Sequence, residues 1–243
     1  MCRMLAFASD RPVDLSPYLA HLERFCLHGN LVDRWERRPG GNHPDGWGVA
    51  FRRSGETVLI RGGLPAAGDP RIREISASSD RFLGHVRYAS ETGPVNERNS
   101  HPFLVEGVAL GHNGTFRGRI GEESGSRQVS DTLVFLERLA AAWKDRSLSG
   151  LSGALSRLLS DSALVGNYSA ANLLILAGES IFALRRYRKD ADYYTLYLRT
   201  GDGAATVASE PLPGSSGWRP LDNGELVELS LPAPRSTRLS PAP

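Results

Sequence analysis

The order of apolar segments predicts an α+β protein built on antiparallel sheets. Three observations carry this: short apolar runs separated by glycine-bearing turns between residues 47 and 111, two amphipathic helical segments between 130 and 159, and strand-like runs that return from Asn172 onward.

The first strand is expected over Arg3–Ser9, an apolar run directly behind Cys2. Ser16-Pro17 then reads as an N-cap followed by proline in the first helical turn. Leu19, Leu22, Phe25 and Cys26 recur at helical spacing, and Gly29 closes the segment. Cys26 lies on that apolar stripe and reads as core filling. Residues Asn30–Pro44 are polar and rich in glycine, arginine and proline, which predicts an exposed loop. Strands are expected at Trp47–Arg52, Thr57–Arg61, Phe82–Val86 and Val108–Gly111.

Ser130 is placed to cap a helix whose Leu133, Leu136, Leu139, Ala140 and Trp143 share one face. Leu148, Leu151, Leu155, Leu158 and Leu159 define a second helix. Strands return at Asn172–Ala177, Ser180–Leu184, Tyr193–Arg199, Ala205–Ala208 and Glu225–Leu229, the last entered by the turn signal Asp222-Asn223-Gly224. No internal repeat or linker divides the chain, so residues 1–230 read as one domain. Leu231–Pro243 carries four prolines and reads as a disordered tail.

Composition narrows the function classes. The 243 residues are 40% hydrophobic and 23% charged, with a formal net charge of +2, which offers no electrostatic case for nucleic acid or an anionic membrane. No run approaches the ~18 apolar residues of a membrane span. The start has neither a basic n-region nor an apolar h-region. Two cysteines make no disulfide framework, so the expected setting is cytoplasmic. No HxH or HxxxH spacing occurs among the six histidines, and neither a metal site nor a cofactor is expected.

Chemistry is suggested first by Cys2. A small residue in second place lets the initiator methionine be trimmed, and a terminal cysteine unites a thiol with an α-amine that titrates near ~7.7–8.0. Nucleophile and general base are then one residue. Four loop-like motifs follow at strand ends. Asp45-Gly46-Trp47-Gly48 flanks a tryptophan with glycines suited to tight turning or close backbone approach. In Gly84-His85-Val86-Arg87-Tyr88-Ala89-Ser90, Arg87 emerges at a strand end, where a guanidinium suits a carboxylate. Asn99-Ser100-His101-Pro102-Phe103 offers His101 as acid, base or donor, or simply as part of a turn. Gly111-His112-Asn113-Gly114 reads either as an Asn-Gly hairpin or as a carboxamide and a glycine N–H converging as an oxyanion hole.

With Met1-Cys2-Arg3 and in this order, these segments resemble the class II glutamine amidotransferases, most closely the stand-alone YafJ-like branch. Val207-Ala208-Ser209-Glu210-Pro211 resembles a later motif of the family. The resemblance implies a four-layer αββα sandwich of the N-terminal-nucleophile hydrolase type, with two antiparallel sheets between helix layers. It implies that Cys2 attacks the glutamine side-chain amide to form a γ-glutamyl thioester, and that Asn113 and Gly114 form the oxyanion hole. Arg87 and Asp131 would grip the substrate α-carboxylate and α-ammonium. His101 would stand near the pocket, Asp45–Gly48 (with Gly46 and Trp47) would line its floor, and Tyr88 and Ser90 keep the aromatic and hydroxyl found as tryptophan and threonine in larger relatives. The implied partner is glutamine or a γ-glutamyl small molecule, with ammonia released or passed to a separate protein. Two other readings remain open: a hydrolase of a larger γ-glutamyl compound, of the ergothioneine-pathway or glutathione-breakdown type, and a catalytically silent glutamine-sensing subunit. The leaving-group side would fall to the Asn30–Pro44 loop with Trp35, Arg37 and Arg38.

Overall fold

The computed structural model describes residues 2–31, 38–90 and 94–239. Trp35, Arg37 and the end of the tail lie outside them. Among the described residues, thirteen strands form two antiparallel sheets. The first sheet holds β1 (Arg3–Asp14), β2 (Trp47–Arg53), β3 (Glu56–Gly62), β4 (Ser78–Val86), β9 (Tyr197–Gly201), β10 (Ala204–Ala208) and β11 (Arg219–Pro220), in the order β11-β9-β10-β1-β4-β2-β3. The second holds β5 (Phe103–Val105), β6 (Val108–Gly114), β7 (Ala171–Ala177), β8 (Ser180–Leu184), β12 (Glu225–Glu228) and β13 (Arg235–Arg238), in the order β13-β12-β8-β7-β6-β5.

Side-chain alternation along the strands explains the layering. On β1, Leu5 and Phe7 face one core, which they share with Leu19, Leu22 and Phe25 of α1 (Ser16–His28) and Ile72 of α2 (Pro70–Arg73). Met4, Ala6 and Ala8 face a second core between the sheets, with Ala109, Leu174 and Leu176 opposite. The other faces of β6 and β7, through Val108, Leu110, Leu173 and Ile175, pack on a third core. That core is closed by α3 (Gly118–Arg127), α4 (Asp131–Ala142), α5 (Leu148–Ser160) and α6 (Ser162–Val165). The result is the four-layer αββα order. A central strand covered on both faces has no polar stripe, which is why Arg3–Ser9 reads as a continuous apolar run.

Several elements differ from expectation for identifiable reasons. Ser16 is the first helical residue rather than the cap, and its N–H and Oγ–H both donate to Asp14 Oδ1 at 3.1 and 3.0 Å. Cys26 is buried in the α1 core, as its stripe position requires. Tyr193 and Tyr194 precede β9 and pack on Ala170 instead of extending the strand. The segment expected as a disordered tail supplies β13, an edge strand paired with β12. Its sequence Arg-Ser-Thr-Arg has no apolar alternation because its contacts are ionic: Arg235 reaches Glu228 at 2.6 Å and Arg238 reaches Asp222 at 2.5 Å. The helix α3 also escapes periodicity, since three glycines and a single buried apolar residue, Ile120, leave little signal.

The end of β1 is held with unusual thoroughness. Arg3 is fully buried, its guanidinium paired with Glu210 and stacked 4.2 Å from the Tyr193 ring centroid. It also donates to the carbonyls of Asn30 at 2.6 Å and Tyr193 at 3.2 Å. Ser209 brackets Met4: its Oγ accepts from Met4 N and its N–H donates to Met4 O, both at 2.9 Å. Removing the partner of a buried charge typically costs about 3–5 kcal/mol. Glu210→Ala is therefore expected to lower unfolding free energy by about 3 kcal/mol in urea titration, and Glu210→Gln by less. Wild-type stability in Glu210→Ala would remove the pair as an anchor.

Candidate active site

Cys2 sits at the head of β1 on the inter-sheet face and is buried. Its backbone N–H donates to Asn113 Oδ1 at 3.1 Å, and its thiol lies 3.9 Å from the Tyr88 carbonyl. Burial pushes the Cys2 thiol pKa up, while the Tyr88 hydrogen bond and the Arg87 charge act the other way. Such a thiol needs a base close at hand.

Asn113 and Gly114 are the last residues of β6, paired with Asn172 and Ala171 of β7, so the Asn-Gly pair is strand and not a hairpin turn. With Oδ1 taken by Cys2, Asn113 Nδ2 is buried and has no acceptor among the described residues. A side chain at residue 114 would meet the Ala170 carbonyl oxygen at 1.9 Å, so only glycine fits.

Arg87 and Asp131 line one cavity of about 530 Å³ that runs past Ser90 and Pro94 to the α3 face at Arg117 and Gln128. Arg87 is buried and donates to the Pro94 carbonyl at 2.7 Å. Burial lowers its pKa, opposed by the negative charges of Asp45 and Asp131 among others. Asp131 opens α4 behind the Ser130 cap, and its carboxylate accepts from Phe116 N at 2.6 Å and Thr132 N at 2.8 Å.

The Asp45–Gly48 segment supports this arrangement from behind. Asp45 N donates to Arg87 O at 3.0 Å, Arg87 N donates to Gly46 O at 2.8 Å, and Asp45 Oδ2 accepts from Ala89 N at 2.7 Å. Gly46 has φ +113°, and a Cβ there would meet Ser100 Oγ at 2.2 Å. Trp47 does not line the pocket floor: it is buried in the α1 core with its indole N–H on Asp69 at 3.0 Å. Odd positions of β2 face that helix layer, which takes Trp47 away from the inter-sheet space. Tyr88 supplies its carbonyl to the thiol, while its ring carries Arg38 at 3.9 Å.

His101 stands near the pocket, on cavity-lining Ser130, without lining the cavity itself. Both ring nitrogens are occupied, Nδ1 by His85 Nε2 and Nε2 by Ser130 Oγ, each at 3.1 Å. The tautomers follow by elimination. The His112 carbonyl, 3.1 Å from His85 Nε2, only accepts, so that nitrogen carries the proton and His101 Nδ1 accepts from it. His101 Nε2–H then donates to Ser130, and the Ser130 hydroxyl donates to Asp131 Oδ1 at 3.2 Å. His112 donates from Nε2 to Ala170 O at 3.1 Å and accepts at Nδ1 from Thr132 at 2.9 Å. His101 therefore buttresses Asp131 through Ser130. The adjacent motifs that contain these histidines are visible in the sequence, but the direction of the chain is not.

Known proteins bear on this geometry. The sequence pattern described as "Glutamine amidotransferases class-II" matches residues 1–189. The chain belongs to the class II glutamine amidotransferases. YafJ of Escherichia coli (strain K12), by its name a glutamine amidotransferase on inference, is 25% identical over 93% of this chain and 96% of its own length. The γ-glutamyl-hercynylcysteine sulfoxide hydrolase of Mycobacterium tuberculosis is 25% identical over 80% of this chain and 78% of its own. An uncharacterized Methanocaldococcus jannaschii protein is 27% identical, and the match spans 61% of its length. The solved class-II domain protein of Silicibacter pomeroyi superposes with TM-score 0.67 at 19% identity, covering 99% of this chain and 100% of that one. The Bacillus subtilis glutamine phosphoribosylpyrophosphate amidotransferase gives 0.63 at 19% identity, with 98% of this chain matching 49% of that one. These last two likenesses show that the four-layer sandwich is shared with solved amidotransferases.

The neutral site has a cost in acid. His43, His85, His101 and His112 are buried, which lowers each pKa from 6.5, His85 to about 3. The unfolded chain protonates these groups below about pH 6.5 while the folded chain does not. Stability is thus full above that pH and falls on acidification, by up to about 1.4 kcal/mol per pH unit for each histidine. Urea midpoints should decline between pH 6.5 and 5, before carboxylates titrate, and less steeply in His101→Gln. A midpoint flat to pH 5 would mean that these rings are charged in the fold.

Proposed function

We propose that this amidotransferase hydrolyses the γ-amide of glutamine with Cys2 as nucleophile once Met1 is removed. The observation that supports it best is the Asn113 carboxamide, whose oxygen holds the Cys2 nitrogen while its buried Nδ2 has no acceptor. A donor kept empty beside a nucleophile suits an oxygen that becomes charged during reaction.

The freed α-amine takes the thiol proton, and the sulfur attacks the γ-carbonyl carbon. As the C–S bond forms, the carbonyl π pair moves onto oxygen, where Asn113 Nδ2 and Gly114 N–H receive it. Collapse expels ammonia, which takes the proton from the ammonium, and leaves the γ-glutamyl thioester. Water, deprotonated by the same amine, attacks the thioester; glutamate departs and the sulfur recovers a proton. Arg87 holds the α-carboxylate and Asp131 the α-ammonium, so a zwitterionic head meets one fixed cation and one fixed anion. Cys2→Ala should abolish glutamate release, and a glutamine-derived electrophile should add mass to the amino-terminal peptide of wild type only. No adduct on active-length protein would instead favour a glutamine-sensing subunit. Asp131→Asn removes a charge-assisted contact of about 1.5–3 kcal/mol and should raise KM about 10- to 100-fold with little change in kcat. An unchanged KM would unseat Asp131 as the ammonium partner.

One observation favours a second reading, hydrolysis of a larger γ-glutamyl compound. A cavity of about 530 Å³ is in the range that holds drug-sized ligands, and the M. tuberculosis relative is named for such a substrate. Glutamine, glutathione and a γ-glutamyl thioether assayed side by side separate the two by kcat/KM.

A further inference from the structure

Asn172 is the one polar residue in the otherwise apolar strand β7, Ala-Asn-Leu-Leu-Ile-Leu-Ala, and it is fully buried. Its neighbours on the same strand face, Leu174 and Leu176, belong to the core between the sheets, so Asn172 projects into that inter-sheet space. It stands directly opposite Asn113 in the β6–β7 register. Its Oδ1 accepts from Arg186 N at 2.9 Å across the end of the β7–β8 pair, which fixes the carboxamide. Its Nδ2, like that of Asn113, is buried with no acceptor among the described residues.

A buried donor without a partner costs about 1–3 kcal/mol, and here two lie side by side. Directly opposed residues place their Cβ atoms about 4.5–5.5 Å apart, so the two carboxamides are neighbours on one sheet face. Capping of Arg186 N needs only the oxygen of residue 172 and would be served equally by aspartate. It leaves the NH2 unexplained.

We propose that Asn172 is a catalytic residue: its Nδ2–H donates, beside Asn113, to the oxyanion formed when Cys2 adds to the γ-carbonyl. The inference rests on the glutaminase reading above. As the C–S bond forms and the carbonyl pair moves onto oxygen, Asn172 meets a negative charge that the ground-state amide lacks, so its contribution appears in kcat and not in substrate affinity.

Asn172→Asp tests this most directly, because it keeps the acceptor for Arg186 N and deletes the donor. The expected result is a fall in kcat of about a hundredfold with KM unchanged. Affinity for the γ-aldehyde of glutamate, whose thiol adduct carries the same oxygen, should fall in parallel, while affinity for glutamate holds. The ratio of variant to wild-type kcat should rise on acidification, as the new carboxyl regains an O–H donor. Asn172→Leu matches the apolar neighbours, needs no buried charge, and should show the same kcat loss without the pH effect. Wild-type kcat in either folded variant, or a loss confined to KM, overturns the proposal. If wild type neither hydrolyses glutamine nor binds the aldehyde, the glutaminase reading itself fails and this inference with it.

Discussion

Anchoring the amino end of β1 is the constraint on which the rest of the structure depends. Chain termini fray unless tied down, and here the candidate nucleophile is the second residue. The fold answers by making β1 a central strand, bonded to β4 as far as Arg3↔Val86 and to β10 from Leu5↔Ala208. Where the β10 ladder ends, Ser209 continues it with its N–H and Oγ on Met4. Arg3 then uses a fully buried guanidinium to join Glu210, Asn30 and Tyr193, which belong to three distant parts of the chain. The Asn30 N–H also donates to Glu210 at 2.8 Å, closing the set. Cys2 thus inherits its position from a network that contains no reacting atom.

The buried histidines around the candidate site are held neutral. Burial keeps His85, His101 and His112 unprotonated, and each then has a fixed donor and acceptor end. A neutral chain from His85 through His101 and Ser130 can orient Asp131 without cancelling its charge. A protonated His101 would compete with any ammonium for that carboxylate. In the proposed reaction, Arg87 and Asp131 would then meet the zwitterionic head beside neutral imidazoles.

Legibility in the sequence followed the kind of contact involved. The layers could be read because β1, β7 and α4 bury apolar residues at the periods of strand and helix. Cys2, Arg87, Asn113 and Asp131 could be named as candidates because they fall in short, ordered motifs that the structure brings close together. Trp47 and His101 share those motifs but face other neighbours, and a motif does not say which way a side chain points. β13 was hidden because ion pairs, not apolar alternation, seat its Arg-Ser-Thr-Arg sequence. Asn172 was hidden for a different reason. Its strand was expected, but its importance comes from register, which places it opposite Asn113 from 59 residues further along the chain. A polar residue alone in a buried apolar strand was the signal available.

The wall beside the thiol bears on the leaving group of the proposed reaction. Arg38 stacks on Tyr88, pairs with Asp45 and donates to Ala89 O at 3.2 Å. Its charge is already matched, so it offers little to an anionic leaving group. Asp45 is committed in turn, to Arg38 and to the Ala89 N–H. Tyr88 presents a carbonyl oxygen to the thiol, and that oxygen can only accept. Among the described residues, the contacts on this side thus suit a neutral leaving group able to donate hydrogen bonds. An amide nitrogen departing as ammonia or as a neutral amine meets that requirement.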